Sequence, residues 1–344
     1  MKLAFTGNNG AGKSTVMAAC AGRKLSVAGK ARDEASQVIL PVPDERVDKL
    51  SAMFVPQKTT YAQITFVDPP MPLAKPDDPT TRLPAELRQA DGLIVVLANF
   101  AGSMLGSLQD QLNSLEQDVI LNDLITVERR LERIAQDKQR GRAVDNEELE
   151  LLNAARKILD AEKPLRIEAI YATNPKLRGF GFLSAKPLVI VINNADDDDH
   201  MPVLNLPMGV MEAPLLVRAA LEAELAQLDE EERLEFMKDY GLSSAALDQL
   251  IAAAYRALNL ISFFTVGSDE VRAWTVDNHA PADVAAGVIH SDLQKGFIRA
   301  EIMSYSNLME MGGEAAVKKA GKFKLAGKDY AVQDGDIMHV RFNV

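Results

Sequence analysis

Cysteine is nearly absent: Cys20 is the single one in 344 residues. That excludes an intramolecular disulfide framework and most cysteine-based metal sites. On the helix expected around it, Cys20 reads as a packed thiol and not a reactive one. No apolar run approaches the length of a membrane span, and the chain starts as a strand and not as a signal peptide. No membrane partner is therefore expected, and the cytoplasm is the expected compartment. Positive charge is also in short supply, with 38 Lys+Arg against 49 Asp+Glu and a formal net charge of -11. This excludes a protein that coats nucleic acid with its whole surface, and no DNA partner is expected. Apolar residues are plentiful at 47%, enough for a substantial core spread over two or three domains.

The most informative stretch is Gly7-Asn8-Asn9-Gly10-Ala11-Gly12-Lys13-Ser14, the pattern G-x-x-x-x-G-K-S, directly after the apolar run Lys2 to Thr6. Such a loop works when a buried strand delivers the chain into it and a helix leaves it. Both flanks are readable here, a strand before and a helix from Ser14 to Cys20 after. The glycines let main-chain N–H groups turn inward around phosphates, Lys13 reaches the terminal phosphates, and the Ser14 hydroxyl holds Mg²⁺. Thr15 continues the contact set at the start of the helix, whose positive end favours the anion.

Alternating strand and helix patterns fill the first hundred residues. Ile64 to Val67 and Leu93 to Ala98 read as buried parallel strands, and Leu188 to Ile192 resumes the pattern later. Between them the chain turns helical. Ile120, Leu124, Val127, Leu131 and Ile134 recur at steps of four and three, Gly141 interrupts, and Leu149, Leu152, Ala155 and Ile158 share one face of a segment from Asn146 to Ala161. An antiparallel helical hairpin follows from this spacing, its leucines closing one helix on the other. From about Asn278 onward, short alternating stretches, Phe297 to Ile302 and Ile337 to Val344, surround one helical piece, Ser306 to Ala320. Lys318, Lys319, Lys322, Lys324 and Lys328 lie there, either as a solvated face or as an RNA contact.

Two further elements complete a nucleotide pocket. Asp68, ending the Ile64 to Val67 strand, is placed to reach Mg²⁺ through water. Asn193-Asn194-Ala195-Asp196 ends a later strand on the edge where ligands bind in such sheets. A carboxylate at Asp196 accepts from the ring N–H and amine of guanine, whereas adenine's ring nitrogen offers no proton.

The chain resembles the YchF group of Obg-related P-loop NTPases over nearly its whole length. The resemblance is strongest in Gln333-Asp334-Gly335-Asp336-Ile337-Met338-His339-Val340-Arg341-Phe342-Asn343-Val344. It continues in Gly296-Phe297-Ile298-Arg299-Ala300-Glu301, Phe263-Phe264-Thr265, Val271-Arg272-Ala273-Trp274 and Pro41-Val42-Pro43-Asp44-Glu45-Arg46. It implies an α/β fold, a Ras-like P-loop NTPase domain over residues 1–104 and 180–277, with an inserted helical coiled-coil hairpin, 105–179. A C-terminal TGS domain of β-grasp form over 278–344 completes it. It also implies ATP or GTP as ligand, ATP hydrolysis often in preference to GTP, Mg²⁺, and a ribosome or RNA partner.

The departures from that family fall around the phosphates and the base. Gly10 stands where the family usually has an asparagine that helps hold potassium. Arg32 falls where a threonine ligates Mg²⁺, and a guanidinium cannot ligate a cation. The D-x-x-G motif reads Asp68-Pro69-Pro70-Met71, followed by a proline-bearing stretch, Pro72 to Pro79, with fewer N–H donors. Asn193-x-x-Asp196 has the GTPase carboxylate where the family often has glutamate, but Asn194 replaces lysine and Arg218-Ala219-Ala220 replaces Ser-Ala-Lys. Two functions follow: a slow ATPase or GTPase switch centred on Lys13, or a hydrolysis-deficient nucleotide-binding adaptor acting through its TGS and helical domains.

Overall fold

The structure, a computed structural model, describes residues 1–21, 35–70, 72, 79–100, 105–241 and 246–343. The expectations placed on Arg32, Met71, residues 73–78 and Val344 lie outside the described residues. In chain order the elements are β1 (Lys2–Thr6), α1 (Lys13–Ala21), β2 (Ser36–Pro41), α2 (Glu45–Phe54), β3 (Lys58–Thr60), β4 (Gln63–Asp68) and β5 (Gly92–Asn99). Then follow α3 (Leu108–Gln139), α4 (Asn146–Asp160), α5 (Ile170–Thr173), β6 (Leu188–Asn194), β7 (Leu215–Val217), α6 (Ala219–Leu225), α7 (Glu230–Asp239) and α8 (Ala246–Ala257). The remainder comprises β8 (Leu260–Thr265), β9 (Glu270–Asp277), α9 (Ala282–Ile289), α10 (Ser291–Lys295), β10 (Phe297–Ser304), α11 (Tyr305–Met311), α12 (Glu314–Lys319), β11 (Lys324–Ala326) and β12 (Asp336–Phe342).

Two compact units form, one of residues 2–38 and 65–257, the other of residues 39–64 and 258–344 with Met1. The first is built on a sheet of order β2-β4-β1-β5-β6-β7. Its pairs β1–β4, β1–β5, β5–β6 and β6–β7 are all parallel. Strands covered on both faces need no polar alternation, which is why Leu93 to Ala98 and Leu188 to Ile192 are continuous apolar runs, buried throughout. The first core gathers Ala4, Val67, Val95, Leu97, Ile190 and Leu112, the last from α3. Cys20 is buried on α1, and burial pushes its thiol pKa up.

The helical hairpin of α3 and α4 also belongs to this unit. Ser107 caps α3 by accepting from the Asp110 N–H, and Asp145 caps α4 by accepting from Glu147 and Glu148. Ile120, Val127 and Ile134 pack against Leu152, Ala155 and Leu159. On α4 the most covered positions are Leu152, Ala155 and Leu159, with Ile158 only partly buried: the stripe follows the 3.6-residue turn one position beyond the expected face. Arg130 closes on Glu148 through two hydrogen bonds of 2.7 and 2.8 Å. At the base of the hairpin, the fully buried Asp123 accepts from the Leu183 N–H at 3.0 Å and the Ser184 N–H at 2.7 Å.

The second unit carries a sheet of order β11-β10-β12-β8-β9-β3. The antiparallel hairpin β8–β9 joins it from the N-terminal side of residue 278, and β3 adds a strand parallel to β9 at Lys58↔Glu270. Phe263, Ala285, Phe297, Ala300, Ile302 and Met338 form its core. Arg46 on α2 lies within this unit. It pairs with Asp44 at 2.8 Å and Asp334 at 2.7 Å, and its guanidinium sits 5.0 Å from the centre of the Phe264 ring. The expected single helix from Ser306 to Ala320 is two helices, because Gly312 adopts φ +74°, a left-handed cap that ends α11. Of the lysine cluster, Lys318 stands over the Phe323 ring and Lys322 faces Glu310.

Candidate nucleotide site

The loop Gly7 to Gly12 leaves β1 and enters α1, as the spacing predicts. Two glycines are required by its geometry. Gly7 has φ +133°, and a Cβ there meets the Val96 carbonyl oxygen at 2.4 Å; Gly12 has φ +90°, and a Cβ there lies 2.2 Å from Asn193 Nδ2. Side chains rarely adopt such backbone, so only glycine lets the loop pass this close to β5 and β6. The Ala11 N–H donates to the Asn8 carbonyl, and the Val16 N–H closes the first helical turn onto Gly12. Asn9 and Gly10 are exposed, Ala11 is buried, and Thr15 is half-buried in the first turn of α1.

Lys13 is 8% exposed, and its ammonium donates to the carbonyls of Gly7 at 3.0 Å and Asn8 at 2.9 Å. The ammonium therefore lies across the loop. Burial lowers its pKa, opposed by the nearby Asp68 carboxylate. Ser14 Oγ donates to Asp68 Oδ2 at 2.5 Å, so the hydroxyl and carboxylate expected on the metal side are brought together. Hard oxygen donors of this kind suit Mg²⁺, which keeps several waters and takes few protein ligands.

On the base side, Asn193 is a link between segments. Its amide Nδ2 donates to the Ala11 carbonyl at 3.2 Å, and its Oδ1 accepts from the Ala219 N–H at 3.1 Å. Asn194 does not join the loop: its Oδ1 accepts from Asn99 and its amide donates to the carbonyls of Asp198 and His200, shaping the turn after β6. Asp196 is exposed, with Oδ1 accepting from the Leu221 N–H at 3.1 Å. Sequence reasoning missed Gln111, buried on α3, whose side chain bonds both main-chain groups of Ala98 at the end of β5. No local pattern announces it, because its partners are 13 residues away in the chain. Among the described residues no group of three or more His, Cys, Asp or Glu is arranged to hold a metal, and no helix is long and apolar enough to cross a membrane.

The Ribosome-binding ATPase YchF of Pasteurella multocida is 33% identical over 360 residues, covering 100% of this chain and 99% of that protein. The chain belongs to the YchF family. The same-named protein of Haemophilus influenzae is 34% identical over 363 residues, covering 100% and 99% of the two chains. That of Bacillus subtilis is 33% identical over 324 residues, covering 89% and 88%. The YchF-GTPase_C family model, described as a protein of unknown function (DUF933), matches residues 260–343. The YchF GTPase of Schizosaccharomyces pombe has the same fold, with a TM-score of 0.76 at 24% identity over 99% of this chain and 97% of that one. A GTP binding protein of Pyrococcus horikoshii matches at a TM-score of 0.59 and 17% identity, with 100% of both chains covered. The α/β fold class of the YchF resemblance therefore stands.

Proposed function

We propose that this YchF-family chain binds a purine nucleoside triphosphate in the loop Gly7 to Thr15 and works in the cytoplasm at the ribosome. The observation that carries the reading is the loop itself: a tight turn between β1 and α1, spanned by the buried Lys13 ammonium at 2.9 and 3.0 Å from two of its carbonyls. An ammonium so placed is available to terminal phosphates, which are stronger acceptors than the carbonyls it holds here. Mg²⁺ would be held by Ser14, with Asp68 reaching it through water, and would supply charge neutralisation at the phosphates. Asn193 is assigned to hold the loop against the base-side turn, and Asp196 to contact the base. Catalysis in this reading is positioning and charge stabilisation, with Lys13 as the group on the transferred phosphoryl.

The relatives' name supports the ribosome as partner, and exposed lysines of the second unit supply an RNA-facing charge. The helical part, residues 105–179, is proposed as an arm and residues 278–344 as the C-terminal part, whose sheet also takes in β8 and β9. A second reading has its own support. Asp68-Pro69-Pro70-Met71 puts methionine, without glycine's conformational freedom, where the main-chain N–H would meet the γ-phosphate, and two prolines without N–H groups before it, which favours an adaptor that binds nucleotide without turning it over. Phosphate release under single-turnover conditions separates the two. The switch reading expects release well below a typical enzyme's roughly 10 per second, and the adaptor reading expects none above the uncatalysed background. Triphosphate binding that is strengthened by Mg²⁺ and weakened in Ser14→Ala supports the site; binding indifferent to both rejects the metal assignment. Co-sedimentation with ribosomes at low salt and release at high salt is expected, and its absence at low salt removes the partner.

A further inference from the structure

A cavity of about 250 Å³ opens in the first unit beside the middle of α3, and the nucleotide-site reading leaves it unused. Among the described residues that line it, Arg88 and Arg129 carry charge and none is acidic. The chain as a whole stands at -11, so a cationic hollow runs against its general charge. Arg88 sits on the short turn Ala85–Gln89 and is held from several sides. Its Nη2 donates to Asn122 Oδ1 and, at 3.0 Å, to Thr126 Oγ1, and its Nη1 donates to the Phe180 carbonyl at 3.0 Å. Those acceptors are themselves fixed: Thr126 Oγ1 donates to the Asn122 carbonyl at 2.8 Å, and Asn122 Nδ2 donates to the Thr80 carbonyl at 3.2 Å. Asp123, 3.9 Å from Arg88 Nη1, is fully buried and already accepts from the Leu183 and Ser184 N–H groups. A further cation, Lys186, donates to the Arg88 and Ala90 carbonyls at 3.1 and 2.5 Å.

We propose that this cavity is a second anion site, binding the phosphate monoester of a small organic molecule with Arg88 and Arg129 on its phosphoryl oxygens. The protein itself orders the Arg88 guanidinium. Three of its N–H groups are taken up by Asn122, Thr126 and Phe180, and a guanidinium has five, so donors remain for a ligand. A donor fork fixed in advance gives up little freedom when it meets an oxyanion. Two guanidiniums line the hollow and Lys186 stands behind Arg88, so the local field favours negative charge. A phosphoryl dianion matches two guanidiniums in charge and, being tetrahedral, offers oxygens to both, whereas a carboxylate matches one. Leu83, Pro84 and Leu183 supply an apolar wall for the organic end. The volume, about 250 Å³, falls short of the roughly 300–1,000 Å³ of pockets that take larger ligands. A small ester therefore fits it better than a nucleoside triphosphate. None of the lining residues belongs to the loop Gly7 to Thr15, and the inference stands independently of that loop.

The experiment titrates the full chain with phenyl phosphate, followed by ligand-observed NMR, with benzoate as the carboxylate counterpart. Saturable binding to wild type with a Kd of about 1 mM or tighter is expected for phenyl phosphate. Lys13→Ala should bind it equally, because Lys13 does not line the cavity. Arg129→Gln, at an exposed position of α3, should weaken binding at least about tenfold, the loss of a charge-assisted hydrogen bond. Ala85→Phe sets a ring at the exposed rim of the cavity and should weaken it likewise, which keeps the test decisive if the glutamine variant does not fold. No saturable binding to wild type up to about 10 mM overturns the proposal, as does an affinity unmoved in either variant when folded. Binding that disappears in Lys13→Ala and persists in Arg129→Gln places the ester in the phosphate loop and overturns it too. Benzoate that binds as tightly as phenyl phosphate overturns the assignment of a phosphate ester.

Discussion

Replacing Gly12 by alanine should cost more than the loss of a glycine, and the excess should vanish when Asn193 is removed first. The new Cβ lies 2.2 Å from Asn193 Nδ2, so the amide must move. Its two bonds, to the Ala11 carbonyl at 3.2 Å and from the Ala219 N–H at 3.1 Å, are then lost together. Each leaves a buried main-chain group unpaired, at about 1–3 kcal/mol apiece. The φ of +90° adds strain for any side chain, about 1–2 kcal/mol. Gly12→Ala is therefore expected to destabilise the nucleotide-free protein by about 3–8 kcal/mol and Asn193→Ala by about 2–6 kcal/mol. The double variant should cost about as much as Gly12→Ala alone, since the same two bonds are lost only once. Urea unfolding followed by far-ultraviolet circular dichroism on all four proteins gives the cycle. A coupling of about 2 kcal/mol or more is predicted, and additivity within about 0.5 kcal/mol refutes the link between the loop and β6.

Asp123→Ala should destabilise the first unit by about 3–5 kcal/mol, because it strands the Leu183 and Ser184 N–H groups and leaves Arg88, 3.9 Å away, facing no carboxylate there; urea unfolding with a change below about 1 kcal/mol contradicts it. Alkaline ultraviolet titration of the six tyrosines should show a late class. Tyr61 is pushed up to about 12 by its hydrogen bond to Asp48 and then by burial, and Tyr330 to about 12 by burial and then by Asp336. Both folded values are raised, so the stability they add is complete below the ordinary value of 10.0 and is lost as pH climbs through that window toward 12. Tyr61→Phe should shrink the late class, and an unchanged titration curve contradicts the assignment. Arg46→Ala should lower the unfolding midpoint of the second unit by removing the partners Asp44 and Asp334 and the stacking on Phe264, a loss of about 1–2 kcal/mol for a part-exposed pair; a midpoint equal to wild type counts against it.

The central strands and the phosphate loop were legible because their signals are local. β5 and β6 are buried on both faces, so their residues read as unbroken apolar runs, and Gly7 to Ser14 carries its glycines where the backbone needs them. The hairpin was legible from its periodicity, with the error confined to Ile158 against Leu159, a difference of one position that a 3.6-residue period and a heptad count resolve differently. The break between α11 and α12 was written in adjacent Gly312 and Gly313, although helical spacing on both sides obscured it. Long-range pairing was not legible. Lys58 joins Glu270 in a parallel ladder, and nothing near Lys58 in the chain names its partner. In the same way Arg218 was visible as a departure from Ser-Ala-Lys, but its carbonyl partners at Asp196 and Tyr240 are 22 residues away on either side.

The central claim is that the loop from Gly7 to Thr15 holds a triphosphate with the Lys13 ammonium across it. Calorimetric titration of wild type and Lys13→Ala with the imido analogues of GTP and ATP in the presence of Mg²⁺ tests it most directly. Saturable binding to wild type that is weakened at least about tenfold in Lys13→Ala, the loss of a charge-assisted contact, is predicted. Equal affinity for the two proteins, or no heat of binding to wild type, contradicts it.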